Sequence, residues 1–563
     1  MMLGADLIAK AIARQGVGTV FGLPGHLESV FGALQREGIR LIHMRHESPC
    51  VLAADAYAQM RRSLGVACVT SGPGLANAVG GIASAFDNSS PVLIIAGRNP
   101  LRMLDARPMQ ELDHARLVRS IVKWAQVVHD PSRLGEYVEM AARIAMSGQP
   151  GPVLLEIPRD VANGEADDAV AAASLGPVLR AHPPAPASED IARAAALLGD
   201  AERPLIVAGA GAYWSDTGAE LARLNREFGI PVLLQGSSRG LVPEDMETVF
   251  PWPVASVAAQ QADVVLFAGC RIAGAIGFGT PPVFAADARF IQIDNDASEI
   301  GRGRPVEAPV AGDCRHALAS MADALSGRSP ARRDVRWVKA AVAPRLERIE
   351  SAGRSEEGQV HPLRMARELA ARMSENGLFV GDGANCNNWF KAVLRCTHSP
   401  GFIDHEPFGA MGVGLPHAIG AVAALQEAGD ERPVFLGTGD GAFGQYLGEL
   451  ATASLHGLPI FVMVANDGAW GSSRNIALHL FNGTYGVDFA QSGYELVARG
   501  LECHGEIAAT PAEVGPAFDR ALEAVRAGRP AVVNVLVDPD SGLERRDPLL
   551  QMITFNRVRF GGA

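Results

Sequence analysis

Short apolar runs alternate with stretches of helical periodicity along most of the chain. Leu7, Ile8, Ala11 and Ile12 mark one face of a helix. The strand-like TVFGLPG follows, then a helix to about Gly38 and the strand-like IRLIHMRHE. A helix from about Pro49 to Met60 leads to VACVTSGPG, the helix LANAVGGIASAF and the run PVLIIAG. Runs this short, bounded by glycine and separated by helices, predict a parallel sheet covered on both faces. The pattern breaks at 163–190, where Ala, Pro and acidic residues suit a surface linker. It resumes at RPLIVAGAGA, GIPVLLQG, ADVVLFAG and RFIQIDND, a second parallel unit. A charged helical connection covers roughly 331–352, and a third unit runs from near Leu378 to near Asp538. The prediction is α/β: three domains, each with a central, mostly parallel sheet flanked by helices, at 1–165, 186–325 and 355–540, followed by a tail at 541–563.

Composition agrees with large cores: 48% of the 563 residues are hydrophobic and 20% charged. A net charge of −12 argues against a nucleic-acid footprint, while leaving room for a local positive patch. None of the seven cysteines forms a CxxC pair, so neither a zinc site nor a disulfide framework is expected, and a cytoplasmic location is. The N-terminus reads as an amphipathic helix rather than a signal peptide, and no long uncharged apolar run suggests a membrane span.

Candidate chemistry concentrates in GTGDGA at 437–442 and NDG at 466–468. Asp440 and Asn466 lie 26 residues apart, the length of a helix plus one parallel strand, so both fall at carboxyl ends of neighbouring strands. That edge is where open α/β sheets bind ligands. Asp and Asn oxygens with a backbone carbonyl are hard ligands suited to Mg2+, which keeps positions for phosphate oxygens. The N–H groups of Gly441 and Ala442 open the next helix, where phosphate charge is favoured. A plain glycine-rich turn would explain GDG alone far better than GDG at this spacing from NDG. Glu47, in RHE, ends a strand in a different unit; a lone glutamate there also suits a helix N-terminus. Met411 stands between glycines in FGAMGVGLPHAIG.

Taken together, Glu47, the GDG…NDG pair and the GxMGxGLP stretch resemble the thiamine-diphosphate enzymes of the acetolactate synthase and pyruvate decarboxylase superfamily. TSGPGLANAVGGIASAF, PVLIIAG and MQELDHARLVRSIVKW are similar to acetolactate synthases in particular. The resemblance implies pyrimidine-binding, middle Rossmann-like and diphosphate-binding domains, in that order. It implies that Glu47 bonds a pyrimidine nitrogen of the cofactor, making the exocyclic amine a base beside the thiazolium carbon. Met411 is then the wedge that bends the cofactor, and the Gly409 carbonyl accepts from the exocyclic amine. Asp440, Asn466 and the Gly468 carbonyl hold the metal, Asn385 meets the diphosphate, and Gln110 reaches the reacting centre. The resemblance also implies a homodimer as the minimum active unit, with a homotetramer expected. The substrate is a small molecule, and the chemistry breaks or makes carbon–carbon bonds next to a carbonyl.

The subclass stays open. Where acetolactate synthases carry MGxxGxHG, this chain has LLQGSSRGLVPEDM at 233–246, so FAD is not expected. GLVPEDM, GANCNN and VDPDSG are similar to oxalyl-CoA decarboxylases and 2-hydroxyacyl-CoA lyases. His26, after the early FGL turn, is placed like a histidine of benzaldehyde lyase and offers a proton donor; a helix-start histidine without chemistry fits equally well. His114 offers the same role, but a solvated polar position suits it better. Arg271 and Asp294, at strand ends of the middle unit, suit a nucleotide site or a structural role. A nicotinamide dehydrogenase would need a GxGxxG that AGAGAYWSDTG does not supply, and the retention of Glu47, Asp440 and Asn466 opposes a non-catalytic binder. The tail at 541–563, with four arginines among apolar residues, is expected to fold over the entrance as a lid or to dock on a subunit interface.

Overall fold

The computed structural model describes residues 1–541 apart from 177, 180–182, 328–332 and 374–375, so the expected lid at 541–563 lies, but for Ser541, outside the described residues. Three six-stranded sheets, each entirely parallel, form the three units. The first runs in the order Arg40–His43, Thr19–Gly22, Gly65–Val69, Val92–Arg98, Val153–Pro158, Trp124–Val127. The third runs Phe402–Ile403, Leu378–Gly381, Val434–Gly439, Ile460–Asn466, Ala531–Leu536, His504–Ala508. Counted within each sheet, both orders are 2-1-3-4-6-5. The middle sheet is 3-2-1-4-5-6, the doubly wound order of dinucleotide-binding folds.

Burial explains the uninterrupted apolar runs. Every residue of Ile460–Asn466 and of Val264–Ala268 is buried, because helices cover both faces. The units share cores rather than merely touching. One apolar cluster joins the first and third sheets, and another joins the middle unit to the third. Helix Glu47–Arg61 of the first unit packs closely against helix Gly414–Ala428 of the third. A Cβ on Gly420 would lie 2.0 Å from the Ala53 carbonyl oxygen, so only glycine permits this approach. The helix expected near 331–352 is Arg336–Ser351. The stretch expected as a linker carries more structure: Glu165–Ala166 pairs antiparallel with Met2–Leu3, and Asp168–Ser174 is helical. Asp167 caps that helix by accepting from the Ala169 N–H, a local device that composition alone does not reveal. All seven cysteines are free and buried, and among the described residues no helix is long and apolar enough to cross a membrane.

Candidate active site

In a 2-1-3-4-6-5 sheet the connections leave in opposite directions from strands 1 and 3, opening a crevice between their carboxyl ends. In the third sheet, strand 1 ends at Gly381 and strand 3 at Gly439. Asp382 and Asp440 are the next residues, and Asn466 ends strand 4 beside them. The expected placement of Asp440 and Asn466 on neighbouring strands is what the register shows, with Gly439 opposite Ala465.

The Asp440 carboxylate is buried and accepts two backbone bonds at 2.9 Å, from the Gly441 N–H and the Gly468 N–H. Burial, with the neighbouring Asp467 carboxylate next, pushes Asp440 up to about 8. Asp467 is raised as well, mainly by burial. Asn466 is fully buried, and its Nδ2 donates to the Ser492 carbonyl at 2.9 Å and to Asn534 Oδ1 at 3.0 Å. Asn534 in turn donates to Ser492 and to Glu495, which settles the orientation of the Asn466 amide. Its Oδ1 is left buried with no partner. An orphaned amide oxygen near a carboxylate destabilised by burial and a second acid is a site deficient in positive charge. These donors fit a hard divalent cation. The Gly468 carbonyl already accepts from the Phe489 N–H at 2.7 Å, leaving one lone pair for a ligand.

Two of the expected phosphate-side groups have partners within the chain. The Gly441 N–H, expected to face phosphate, is bonded to Asp440 Oδ1. Gly441 is needed for another reason: a Cβ there would lie 2.6 Å from the Trp470 ring. Asn385 opens helix Asn385–Val393 and donates to Asp467 Oδ2 at 3.0 Å, so it reaches the acidic pair itself. Ala442 is buried in the short helix Asp440–Tyr446.

The first sheet has its own crevice, again between strands 1 and 3. His26 follows strand 1, Thr70 follows strand 3, and His26 Nδ1 lies 3.0 Å from Thr70 Oγ1. Glu47 is buried at the first position of its helix, and Asn77 Nδ2 donates to its Oε2 at 3.1 Å. Gly74 lies between them: a Cβ there would stand 2.5 Å from Thr70 Cγ2 and 3.6 Å from Glu47 Oε1. The Gln110 carbonyl accepts from Ser71 Oγ at 2.8 Å. His26 and Gln110 both hold a positive φ, 58° and 67°, a conformation that costs a non-glycine residue about 1–3 kcal/mol and clusters at functional sites. Thus Glu47, His26 and Gln110 gather around the single segment Thr70–Gly74. His114 is not solvated: it is fully buried, its Nε2 accepts from the Gly72 N–H at 2.8 Å, and its Nδ1 lies 3.1 Å from Glu156. Gly72 and Glu156, distant in the sequence, hold the ring from both nitrogens, which the local polarity of its neighbours does not foretell.

Met411 is 44% exposed and Phe408 49%, so the methionine does not serve as core within one chain. Gly409 and Gly412 flank it with φ of 75° and 83°. Sequence reasoning passed over Asp382 and Asp467, although both sit inside motifs it used. Residues 381–383 repeat the Gly-Asp-Gly of 439–441 at the adjacent strand end, and that repetition was the available cue. In the middle unit, Arg271 is engaged with Asp87 and Ser89 of the first unit at about 3.0 Å, a clamp between domains. Asp294 is raised by burial and accepts from the Asp296 N–H.

Residues 2–117, 191–321 and 382–535 match, in turn, the N-terminal TPP binding domain, central domain and C-terminal TPP binding domain of the thiamine pyrophosphate enzymes. The chain belongs to the thiamine pyrophosphate enzyme family. It is 33% identical over 557 residues to a probable acetolactate synthase of Mycobacterium bovis, covering 97% of this chain and 98% of that protein. An acetolactate synthase large subunit of Mycobacterium tuberculosis matches to the same extent. A 2-hydroxyacyl-CoA lyase 2 of Caenorhabditis elegans is 28% identical over 584 residues, covering 95% of this chain and 89% of that protein. This thiamine pyrophosphate enzyme is therefore acetolactate-synthase-like, in the carboligase and lyase class, and thiamine diphosphate (the same compound) is its cofactor. Its two binding domains are the two sheets of order 2-1-3-4-6-5 described above.

Proposed function

We propose that this enzyme makes or breaks a carbon–carbon bond next to the carbonyl of a 2-oxo acid or acyloin-type substrate, with its cofactor held through Mg2+ by Asp440, Asn466 and the Gly468 carbonyl. The observation that carries the metal assignment is the partnerless Asn466 Oδ1 at the strand end beside Asp440, whose carboxyl burial pushes up to about 8. Bound thiamine diphosphate supplies the electron sink. The chain's own residues do the rest. Glu47, buried and held by Asn77, is placed to take and return a proton at a pyrimidine nitrogen. His26 and Gln110 stand at the neighbouring crevice, His26 to move a proton and Gln110 to orient the substrate. Met411 and the Gly409 carbonyl would hold the cofactor, and Asn385, whose amide is bonded to Asp467, would stand at its diphosphate end.

The exposure of Met411 and Phe408 in one chain supports a site completed by a second copy, and hence a dimer or tetramer. The reading includes no flavin. The segment 233–246 commits Arg239 to a fully buried pair with Glu244, at 2.8 and 2.7 Å, and to the Leu394 carbonyl. A second reading, cleavage of 2-hydroxyacyl-CoA thioesters, is favoured by the resemblance to the Caenorhabditis elegans lyase. One screen separates the two. Purified enzyme with thiamine diphosphate and Mg2+ is offered 2-oxo acids, aldehydes, acyloins and 2-hydroxyacyl-CoA thioesters, and carbon dioxide and carbonyl products are followed. Turnover of 2-oxo acids with carboligation supports the first reading; cleavage confined to thioesters replaces it with the second; no turnover of any class refutes both.

A further inference from the structure

Two Gly-Asp-Gly turns end neighbouring strands of the third sheet, at 381–383 and 439–441. The second supplies the proposed metal ligand Asp440. The first supplies Asp382, which has no part in that role. Asp382 is 1% exposed, and its two carboxylate oxygens face the same loop: Oδ1 accepts from the Gly412 N–H at 3.2 Å and Oδ2 from the Gly414 N–H at 3.0 Å. Those donors flank Val413 and directly follow Met411.

The loop has few other means of holding its shape. Its start is anchored at Asp404, which receives Asn387 Nδ2 at 2.9 Å and Lys391 Nζ at 2.6 Å. From Glu406 to Gly409, and again at Met411, it is exposed in the single chain. Gly412 is pressed from the other side by the helix that Asp440 opens: a Cβ there would lie 2.9 Å from Gln445 Cβ. The backbone immediately after the methionine is thus gripped between the carboxylate of one Gly-Asp-Gly turn and the helix of the other. A neutral side chain of the same shape cannot reproduce the grip. An amide has one accepting oxygen and would turn an NH2 toward the second N–H.

We infer that Asp382 is a positioning residue: it fixes the loop that presents Met411, and so sets the bend of the bound cofactor, without touching the cofactor itself. This rests on the reading of Met411 as the wedge. Displacing a positioned group by about 1 Å can lower a rate on the order of 100-fold, whereas binding that does not depend on the bend changes less.

The test compares Asp382→Asn, Met411→Ala and the double variant in the full-length protein. In the cofactor-free protein, amide hydrogen exchange of the segment 405–416 is expected to quicken at least about tenfold in Asp382→Asn and to stay unchanged in Met411→Ala. In the protein loaded with thiamine diphosphate and Mg2+, hydrogen–deuterium exchange at the thiazolium carbon should slow in both single variants by roughly 10- to 100-fold. The double variant should be no slower than Met411→Ala alone, since both changes remove one wedge. Cofactor Kd should shift by less than about threefold in Asp382→Asn. Gly414→Ala is the second variant, for use should Asp382→Asn not fold. Its methyl would stand 2.6 Å from Asp382 Cβ, displacing the carboxylate without removing it, and it should give the same results. Unchanged loop exchange in Asp382→Asn, additive losses in the double variant, or a loss wholly restored by excess cofactor would overturn the inference while leaving the wedge reading intact. Full thiazolium exchange in Met411→Ala would overturn both.

Discussion

Asp440→Asn separates what this residue does for the fold from what it does for the metal. In the structure each carboxylate oxygen takes one backbone N–H at 2.9 Å. The amide keeps one of these bonds and loses the other, a cost of about 0.5–1.5 kcal/mol. Against this, a carboxyl with a value of about 8 is roughly nine-tenths protonated at pH 7, so the neutral amide resembles the metal-free site and avoids the penalty of a buried acid. The two effects oppose, and the melting temperature of the metal-free variant should lie within a few degrees of wild type. The metal-bound state is different. With Mg2+ and thiamine diphosphate at about 100 times Kd, wild type gains about 2.7 kcal/mol. At about 2–4 °C per kcal/mol for a unit of this size, that is roughly 5–10 °C. The variant, lacking the charged ligand, should gain almost nothing. The pH dependence has a definite sign. A carboxyl raised in the folded state contributes stability below its ordinary value and loses it as pH rises through about 8. Metal-free wild type should therefore become less stable from pH 5 to 8.5 relative to Asp440→Asn, while the increment from Mg2+ grows over the same range because the metal no longer competes with a proton. Thermal melts with Mg2+ or with EDTA, at pH 5.5, 7 and 8.5, measure all of this. An Asp440→Asn protein that keeps the wild-type increment refutes the assignment.

Glu47→Gln preserves size and removes the charge, so exchange at the thiazolium carbon should fall by about 10²–10⁴-fold while calorimetric cofactor affinity changes much less; wild-type exchange would end the proposed role. His114→Ala leaves the buried Gly72 N–H without its acceptor and should cost about 1–3 kcal/mol in denaturant melts, with no sign of an altered pH–rate profile. Arg239→Met strands the buried Glu244 carboxylate, and breaking such a pair should cost about 3–5 kcal/mol; an unchanged melting temperature would show that solvent reaches the pair. Gly420→Ala, which places a methyl 2.0 Å from the Ala53 carbonyl oxygen, should lower the melting temperature by overpacking worth about 1–3 kcal/mol, read by calorimetry.

The chain itself determines the alternation of buried strands with covering helices, because burial on both faces demands short, continuous apolar runs such as PIFVMVAN. It also determines that Asp440 and Asn466 share a sheet edge, since one helix and one strand return the chain to the same side. Glu47 at the first turn of a helix is equally local. What the tertiary structure alone decided is which residues meet across elements distant in the sequence. Periodicity reports that a position is buried but not what lies opposite. His114 therefore read as polar and solvated until the Glu156 strand was laid against it, and Arg271 suited a nucleotide site and a structural role equally until Asp87 and Ser89 of another unit arrived. The strand order, and with it the two crevices, is likewise set by how the sheets pack. Along the chain, the spacing to NDG marks the Gly-Asp-Gly of 439–441 but says nothing of what the one at 381–383 does. Only the fold shows that, by turning Asp382 toward two backbone N–H groups, one on each carboxylate oxygen.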